Sequence, residues 1–401
     1  MIRVFFSLAF LSLFLRASGQ DHSKITIGGV EKIYSKTLNE ERNIWVYNPG
    51  EGQSSKGRKD HYPVLFLLDA EDHFYSTVGI IKQMSGRWPE MIVVGITNTN
   101  RGRDLTPTTS YSNGKPDKNS GGGENFIRFI EKELMPHIDS SYPTTTYRIF
   151  SGHSLGGLTV INTLLNHTGL FSAYIAIDPS LWWDNQKLLL QAKKDFPARK
   201  FNNVSLFIGR ANNMPPTMDT ITAMQDTTNF TSLYRSVTQF IKDLRTAGGN
   251  GLRWDVKFYP EESHGTVELN AEYDALKFLF NYYQFRTSFF EFNPNMNIDS
   301  VLIAHFKNIS KHLGYMVVPS KNLVNNLGYT CMGLKKWDKA ETFFKLNIEN
   351  YPDDANGYDS LGDFYESRGN NKKAIENYTK ALTLGNDPDT KRKLEVLKAK
   401  S

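Results

Sequence analysis

The sequence predicts an α/β fold with a doubly wound, mostly parallel sheet, followed by an all-α region. From Ile25 to about Phe290, short apolar runs alternate with amphipathic helical patterns, and no strand-like run follows after about Asn293. The runs are almost continuously Val, Ile, Leu and Phe, as in strands buried on both faces of a parallel sheet. Strands that alternate with helices favour the doubly wound arrangement.

The first predicted element is an antiparallel hairpin at the edge of the sheet, over residues 24–49, where apolar residues alternate and turn residues intervene. Six buried strands and four amphipathic helices follow. The strands are predicted at residues 62–69, 90–97, 147–150, 171–178, 203–209 and 252–260, and the helices at residues 123–138, 157–167, 232–248 and 270–283.

The C-terminal part contains an internal repeat. A leucine-glycine pair, an alanine and an aromatic residue each recur 34 positions later. This period with these residue types is typical of tetratricopeptide repeats, in which each repeat is a helical hairpin. Two repeats are too few for an independent solenoid, so we expect them to pack with a helix at residues 297–315 and against the sheet region. The repeated residues are Leu327-Gly328 and Leu361-Gly362, Ala340 and Ala374, and Phe344 and Tyr378.

The composition is that of a soluble globular protein large enough for two domains. The chain has 401 residues, of which 39% are hydrophobic and 22% are charged. Its formal net charge is +5, but the basic residues are scattered among 42 acidic ones, which argues against a nucleic-acid partner. Cys331 is the only cysteine, so the sequence excludes an intrachain disulfide and a cysteine-based metal site.

The first residues have the pattern of a secretory signal peptide. Arg3 precedes an apolar run at residues 4–15, and a small-residue cleavage site follows at residues 17–19. The run is too short to span a bilayer comfortably, so we expect no stable membrane insertion. A buried first helix is the alternative. The predicted organisation is a signal peptide at residues 1–19, an α/β domain at 24–290 and a tetratricopeptide-repeat domain at 293–401. We therefore expect the protein to be secreted or periplasmic after cleavage of the signal peptide.

A glycine-rich turn stands between the predicted strand at 147–150 and the helix that follows it. Gly152, Ser154 and Gly156 form the G-x-S-x-G pattern of the nucleophile elbow of α/β hydrolases, in which a sharp turn presents a serine at the carboxyl edge of the sheet. The turn also places Ser154 at a helix N-terminus, where free N–H groups favour a developing oxyanion. A turn without catalytic meaning is the alternative. The strand–turn–helix context favours a serine nucleophile.

A serine nucleophile needs a base, and in this arrangement the acid and then the histidine follow the serine along the chain. His264 comes after the predicted strand at 252–260 and before the next helix, where the base is expected. The acid should follow the strand at 203–209. Asp219 and Asp226 are candidates there, and Asp226 is favoured because it lies closer to the next helix. Either aspartate could instead cap a turn, and a Ser–His dyad without an acid stays open.

The tetrahedral oxyanion needs two backbone donors. One N–H is expected from Leu155, next to the serine, and the other from Ala70 or Glu71, after the strand at 62–69. Chemistry of this kind needs no metal ion and no cofactor, so we expect neither.

Together these motifs resemble the putative-esterase family of α/β hydrolases, which includes enterochelin, feruloyl and acetylxylan esterases. The shared stretches are YPVLFLLDA, IVVGITNTNRGRDLTP, GHSLGG, IDPSLWW and SHG, spread over roughly residues 24–290. The run at residues 98–107 together with PSLWW is most similar to the siderophore-esterase-like branch, and members with appended tetratricopeptide repeats also look similar. The resemblance implies Ser154 as the nucleophile, His264 as the base and Leu155 as an oxyanion donor.

Three side chains near the same edge of the sheet are candidates for contact with substrate. Trp182 and Trp183 follow a predicted strand and could stack on an aromatic acyl group or a sugar ring, or pack an insert over the sheet. Arg101 could bind an anionic substrate, although an ion pair that braces its loop is favoured.

The leading hypothesis is therefore an exported serine esterase that works through an acyl-enzyme. Its substrate would be a small-molecule or oligosaccharide ester, such as a siderophore trilactone, a feruloylated or acetylated carbohydrate, or a simple acyl ester. The alternatives are an acyltransferase and a non-catalytic scaffold that binds a partner protein through its repeats. The repeats could also mediate self-association of an active enzyme.

Overall fold

Eight strands form one mixed sheet in the computed structural model, which describes residues 25–50, 61–288, 293 and 295–400. The predicted signal peptide lies outside the described residues. The strands are β1 (Gly29–Ser35), β2 (Glu40–Tyr47), β3 (Tyr62–Leu67), β4 (Ile92–Ile96), β5 (Tyr111–Ser112), β6 (Lys115–Pro116), β7 (Thr144–His153), β8 (Ala173–Ile177), β9 (Ser205–Ala211) and β10 (Arg253–Tyr259), of which β5 and β6 form a separate two-stranded ribbon.

The order across the large sheet is β1-β2-β4-β3-β7-β8-β9-β10. Strand β2 pairs antiparallel with β1 and β4, and the other neighbouring strands pair parallel. The predicted edge hairpin and all six predicted strands are therefore confirmed. Because β7, β8 and β9 are neighbours and parallel, their carboxyl ends lie side by side at one edge of the sheet.

Helices cover both faces of this sheet, which explains the continuous apolar runs of the strands. In β3, Val64 and Phe66 belong to the core on one face, whereas Leu65 and Leu67 belong to the core on the other. The helices of this region are α1 (Ala70–Gln83), α2 (Arg101–Leu105), α3 (Gly123–Phe129), α4 (Met135–Ser141), α5 (Leu155–Asn166), α6 (Trp183–Asp195), α7 (Thr220–Gln225), α8 (Ser232–Ala247) and α9 (Glu268–Leu279), and a π-helical turn (Ile130–Leu134) joins α3 to α4.

The C-terminal region is all-helical in its described residues. It comprises α10 (Ile298–Leu313), α11 (Lys321–Gly333), α12 (Trp337–Asn350), α13 (Ala355–Ser367), α14 (Asn371–Leu384) and α15 (Pro388–Ala399). Helix α10 joins the two regions, because Ile309 and Leu313 belong to the core beneath the sheet while Ile298 and Leu302 belong to the core of the C-terminal helices. The expected packing of this helix with the C-terminal helices is confirmed, and the same helix contacts the core of the sheet region.

Across the described ranges, none of the helices combines the length and the apolar character that crossing a membrane requires.

Candidate active site

Ser154 occupies the sharp turn that the glycine pattern predicts. It lies between the last residue of β7 and the first residue of α5, with φ 60° and ψ −116°, a conformation that L-residues rarely adopt. Its backbone N–H donates to the carbonyl of Ile177 at 3.0 Å, which ties the turn to the neighbouring strand. A Cβ atom on Gly152 would lie 2.6 Å from the backbone carbon of Gly156, so this position accepts only glycine.

The structure brings His264 to Ser154, although 110 positions separate them. Nε2 of the imidazole lies 3.0 Å from Oγ of the serine. The histidine follows β10 and precedes α9, as predicted, and its side chain is 37% exposed, so the pair is open to solvent. The geometry permits a proton to pass from the hydroxyl to the ring.

The carboxylate on the other side of the imidazole belongs to Asp178. Its Oδ2 lies 2.6 Å from Nδ1 of His264. The side chain is buried and also accepts hydrogen bonds from the backbone N–H of Ala211 at 3.2 Å and from Nδ2 of Asn213 at 2.6 Å. Because a carboxylate can only accept, Nδ1 carries the proton, and Nε2 is left free to accept from Ser154.

The expectation that Asp226 or Asp219 would face the histidine is wrong. Asp226 ends α7 and accepts hydrogen bonds from the hydroxyls of Thr228 and Thr231, both at 2.6 Å. These bonds lower its pKa to about 2. Asp219 caps the first turn of the same helix, with Oδ1 accepting from the N–H of Thr222 at 2.7 Å. Both aspartates thus have the local capping role that was the alternative.

One sequence signal could have identified Asp178. It stands directly after β8, the strand next to the one that carries the serine, in the stretch IDPSLWW. Our expectation placed the acid one strand further along, after β9. A carboxylate after β8 reaches the same histidine because the carboxyl ends of the parallel strands meet at this edge.

The two predicted sources of oxyanion donors lie close together. Leu155 is the first residue of α5, and Ala70 and Glu71 open α1, so their N–H groups have no carbonyl acceptor within their own helices. A Cβ atom on Gly156 would lie 3.3 Å from Oδ2 of Asp69, the residue that precedes α1. The start of α1 therefore lies close to the start of α5. The role of these N–H groups as an oxyanion hole stays a prediction.

The two tryptophans have different environments. Trp182 is 40% exposed, whereas Trp183 is partly buried against the core and donates its indole N–H to the carbonyl of Thr108 at 3.1 Å. Ser180, just before them, places its Oγ 3.3 Å from Oγ of Ser154. This stretch therefore borders the serine, with Trp182 as its accessible aromatic face. Contact of either tryptophan with substrate stays a prediction.

Arg101 is held by an ion pair. Its Nε and Nη2 donate to the two carboxylate oxygens of Asp69 at 2.7 and 2.9 Å, and Nη2 also lies 3.4 Å from the carbonyl of His153. This contact is the loop brace that was favoured over substrate binding. The brace also fixes the start of α1 against the strand that leads into the serine turn.

Two buried and two partly buried titratable side chains lie around this turn. Burial and the nearby His264 lower the pKa of His153 to about 4, and burial also lowers that of His73. Burial raises the pKa of Glu272 to about 7, and the hydroxyl of Ser151, which donates to it at 2.7 Å, opposes the rise. Burial, together with the neighbouring Glu272, raises the pKa of Glu268 to about 9.

A protein-family model described as Putative esterase matches residues 35–254, more than half of the chain. Ferri-bacillibactin esterase BesA of Bacillus subtilis is 33% identical over 211 residues, which are 47% of this chain and 71% of BesA. Siderophore enterobactin esterase of Emericella nidulans is 24% identical over 171 residues, which are 37% of this chain and 56% of that protein.

Two solved structures share the fold. An IroE-like serine hydrolase from Shewanella oneidensis has a TM-score of 0.66 and 28% identity, over 80% of this chain and 99% of that one. A protein from Capnocytophaga ochracea has a TM-score of 0.62 and 21% identity, over 92% of this chain and 99% of that one. The chain therefore belongs to the Putative esterase family of carboxylic-ester hydrolases.

Proposed function

We propose that the protein is a serine esterase that hydrolyses siderophore-type esters through Ser154, His264 and Asp178. One observation carries the catalytic part of the proposal: the three side chains form a continuous hydrogen-bonded chain, with 3.0 Å between serine and imidazole and 2.6 Å between imidazole and carboxylate. This chain supplies a nucleophile, a base and a group that orients the base.

The reaction would proceed in two halves. Oγ of Ser154 attacks the ester carbonyl carbon while its proton passes to Nε2 of His264, and Asp178 stabilises the imidazolium that forms. The N–H groups of Leu155 and of Ala70 or Glu71 would hold the oxyanion. The intermediate then collapses, and the leaving alcohol takes the proton from Nε2. Water attacks the acyl-enzyme by the same route and releases the acid.

The siderophore part of the proposal rests on the relatives. BesA is named for a ferri-bacillibactin ester and the protein of Emericella nidulans for enterobactin. Feruloylated or acetylated carbohydrates are the second candidate substrates, because the exposed face of Trp182 offers a surface for a sugar or an aromatic acyl group. Transfer of the acyl group to an alcohol is a variant of the same chemistry.

Labelling with a fluorophosphonate probe tests the nucleophile. The folded wild type should be labelled with a stoichiometry of one, and Ser154→Ala should not be labelled and should lose esterase activity by roughly four to six orders of magnitude. Asp226→Asn serves as a matched control that keeps the label. Resistance of the folded wild type to the probe would contradict the proposal.

A substrate panel tests the ester class. It compares kcat/KM for a siderophore trilactone, a feruloylated sugar, an acetylated sugar and p-nitrophenyl acetate, each with Ser154→Ala as the blank. We expect the trilactone to be preferred. A tenfold preference for either sugar ester would instead assign the carbohydrate substrate. If the enzyme transfers acyl groups, added acceptor alcohols should shift the products from the free acid towards the transferred ester.

We also propose that the protein is exported after cleavage of residues 1–19, on the pattern of Arg3 and the apolar run after it. N-terminal sequencing of the protein from the native cell envelope tests this cleavage. Export is refuted if the protein is found in the cytosol and its N-terminus still contains the apolar run.

We propose further that the C-terminal helices are tetratricopeptide repeats. Helices α11 and α12 span residues 321–333 and 337–350, and α13 and α14 span the equivalent positions 34 residues later, 355–367 and 371–384. A Cβ atom on Gly328 would meet the Phe344 ring at 2.7 Å and one on Gly362 the Tyr378 ring at 2.5 Å, so each glycine admits its aromatic partner. These features support the repeat assignment.

Repeats of this kind would recruit a partner protein or a second copy of the chain. Sedimentation equilibrium of the full chain tests self-association, and a capture experiment with surface variants of α13 tests a partner. A binding role is contradicted if the chain is monomeric and if the α13 variants change neither its esterase activity nor the proteins that it captures.

A further inference from the structure

We propose that His73, His153 and Glu268 form a binding site for one divalent transition-metal ion of the zinc type, next to Ser154, His264 and Asp178 but separate from them. The three residues come from the first turns of α1, the end of β7 and the start of α9. Each offers one ligand atom, and these atoms all lie within 4.8 Å of one another.

The ligand atoms lie near the spacing that such an ion requires. Zn²⁺ binds imidazole nitrogen and carboxylate oxygen at about 2.0–2.2 Å, so ligand atoms in a tetrahedral site lie roughly 3.4 Å apart. The three ligand atoms, which lie within 4.8 Å of one another, would reach this spacing through small side-chain shifts that also separate Nδ1 of His73 from Oε2 of Glu268. Two histidines and one glutamate are also a ligand set that zinc uses when it keeps a fourth position for water.

The polar atoms of the cluster are incompletely paired by the protein. Nε2 of His153 is buried and has no hydrogen-bond partner among the residues that the structure describes. Oε2 of Glu268 is also buried, and Nδ1 of His73 lies against it. A bound cation would give Nε2 of His153 a partner and would replace the direct contact between His73 and Glu268.

The charge around the cluster also favours a cation. Asp69, Asp72 and Glu272 all act on Glu268 as neighbouring carboxylates, and Arg101 opposes them. The guanidinium of Arg101 is itself paired with Asp69. A divalent ion would offset the repulsion that these carboxylates exert on an ionised Glu268.

The site does not compete with the candidate catalytic residues for ligands. Both ring nitrogens of His264 are engaged, one by Asp178 and one by Ser154.

The bound ion would nevertheless lie close to the candidate catalytic histidine, because the centroid of the His153 ring is 4.5 Å from that of the His264 ring. An ion on His153 would oppose the positive charge that His264 acquires during acylation, so we expect a several-fold fall in kcat when the site is filled. Only this last expectation depends on the proposed esterase function.

Zinc titration of the purified, untagged and chelator-stripped chain tests the site directly. We expect one Zn²⁺ per chain by isothermal titration calorimetry, and visible absorption bands of a low-symmetry nitrogen–oxygen site when Co²⁺ is used instead. His73→Gln and Glu268→Gln should each weaken binding at least tenfold. Ser154→Ala should bind as the wild type does, which separates this test from the test of catalysis.

A matched control removes an exposed histidine elsewhere. His312 lies on α10, outside the cluster, and His312→Gln should leave zinc binding unchanged. Absence of stoichiometric binding by the wild type would overturn the proposal, and so would unchanged binding by both cluster variants. If the variants do not fold, anomalous diffraction from zinc-soaked wild-type crystals decides, because an ion located away from His73, His153 and Glu268 excludes the site.

Discussion

The sheet region and the C-terminal helices are held together by contacts of very different range. In the sheet region, Ser154 touches His264 across 110 positions and His264 touches Asp178 across 86. In the C-terminal helices, packing repeats between neighbouring helices, and each repeat position has its counterpart 34 residues later. The first region therefore depends on contacts between residues far apart in sequence, and the second on contacts between successive helices.

The difference teaches where a sequence pattern is informative. A local period predicts its own contacts, because each helix packs mainly on the next one. A site whose residues are far apart in sequence leaves a recognisable sequence pattern only at residues that need a particular backbone conformation. The glycines around Ser154 are such a signal, whereas Asp178 needs only to end a strand at the correct edge of the sheet.

The largest expected effect separates two aspartates. Asp178→Asn should lower kcat for an ester substrate by roughly 10⁴-fold, because an amide no longer fixes the Nδ1–H tautomer of His264. Asp226→Asn should stay within about threefold of the wild type, since Asp226 bonds only nearby threonines and Arg235. Steady-state kinetics with a circular-dichroism check measure both. A large loss in Asp226→Asn with little loss in Asp178→Asn would break the comparison.

The next effect tests the autonomy of the C-terminal helices. Gly362→Ala puts a Cβ atom 2.5 Å from the Tyr378 ring and should destabilise the helices by about 1–3 kcal/mol while kcat changes less than about twofold. Gly333→Ala is the matched control, because its Cβ meets no atom within 4 Å. Urea unfolding and ester hydrolysis measure the two quantities. Loss of both together would mean that the regions depend on each other.

A smaller effect concerns the buried acid beneath the sheet region. Because the pKa of Glu272 is raised to about 7 in the folded protein, the folded state holds its proton more tightly than the unfolded state. Its contribution to stability is complete below about pH 4.5 and is lost as the pH rises through 7. As the pH rises through 7, the free energy of unfolding of Glu272→Gln should therefore fall by about 1–3 kcal/mol less than that of the wild type.

Chemical denaturation of wild type and Glu272→Gln at pH 5 and pH 8 checks this prediction. Ser151→Ala, which removes the hydroxyl that bonds Glu272, is a useful companion, because it should steepen the decline. Parallel pH profiles for wild type and Glu272→Gln would show that the carboxyl group is not responsible.

The smallest effect compares the two tryptophans. Trp182→Ala should raise KM for an aromatic acyl ester about two- to tenfold with little change in Tm, because this ring is exposed. Trp183→Phe should lower Tm instead, since it loses the bond to the Thr108 carbonyl. Kinetics and thermal melts distinguish the two, and a reversed pattern would assign substrate contact to Trp183.

The sequence by itself determined the elements that depend on local physics. Continuous apolar runs predict strands with a core on each face, the 34-residue period predicts paired helices, and the glycines on either side of Ser154 predict a sharp turn. His264 was also identified, because it is the histidine in the loop between the last strand and the helix that follows it.

Only the tertiary structure decided which side chains meet. The order β7-β8-β9 places Asp178, and not Asp226, against the imidazole. The tertiary structure also brings together His73, His153 and Glu268 from three separate elements, which no spacing in the sequence indicates. Such contacts depend on which strand ends become neighbours, and that choice is made by the packing of the whole sheet rather than by any single stretch of chain.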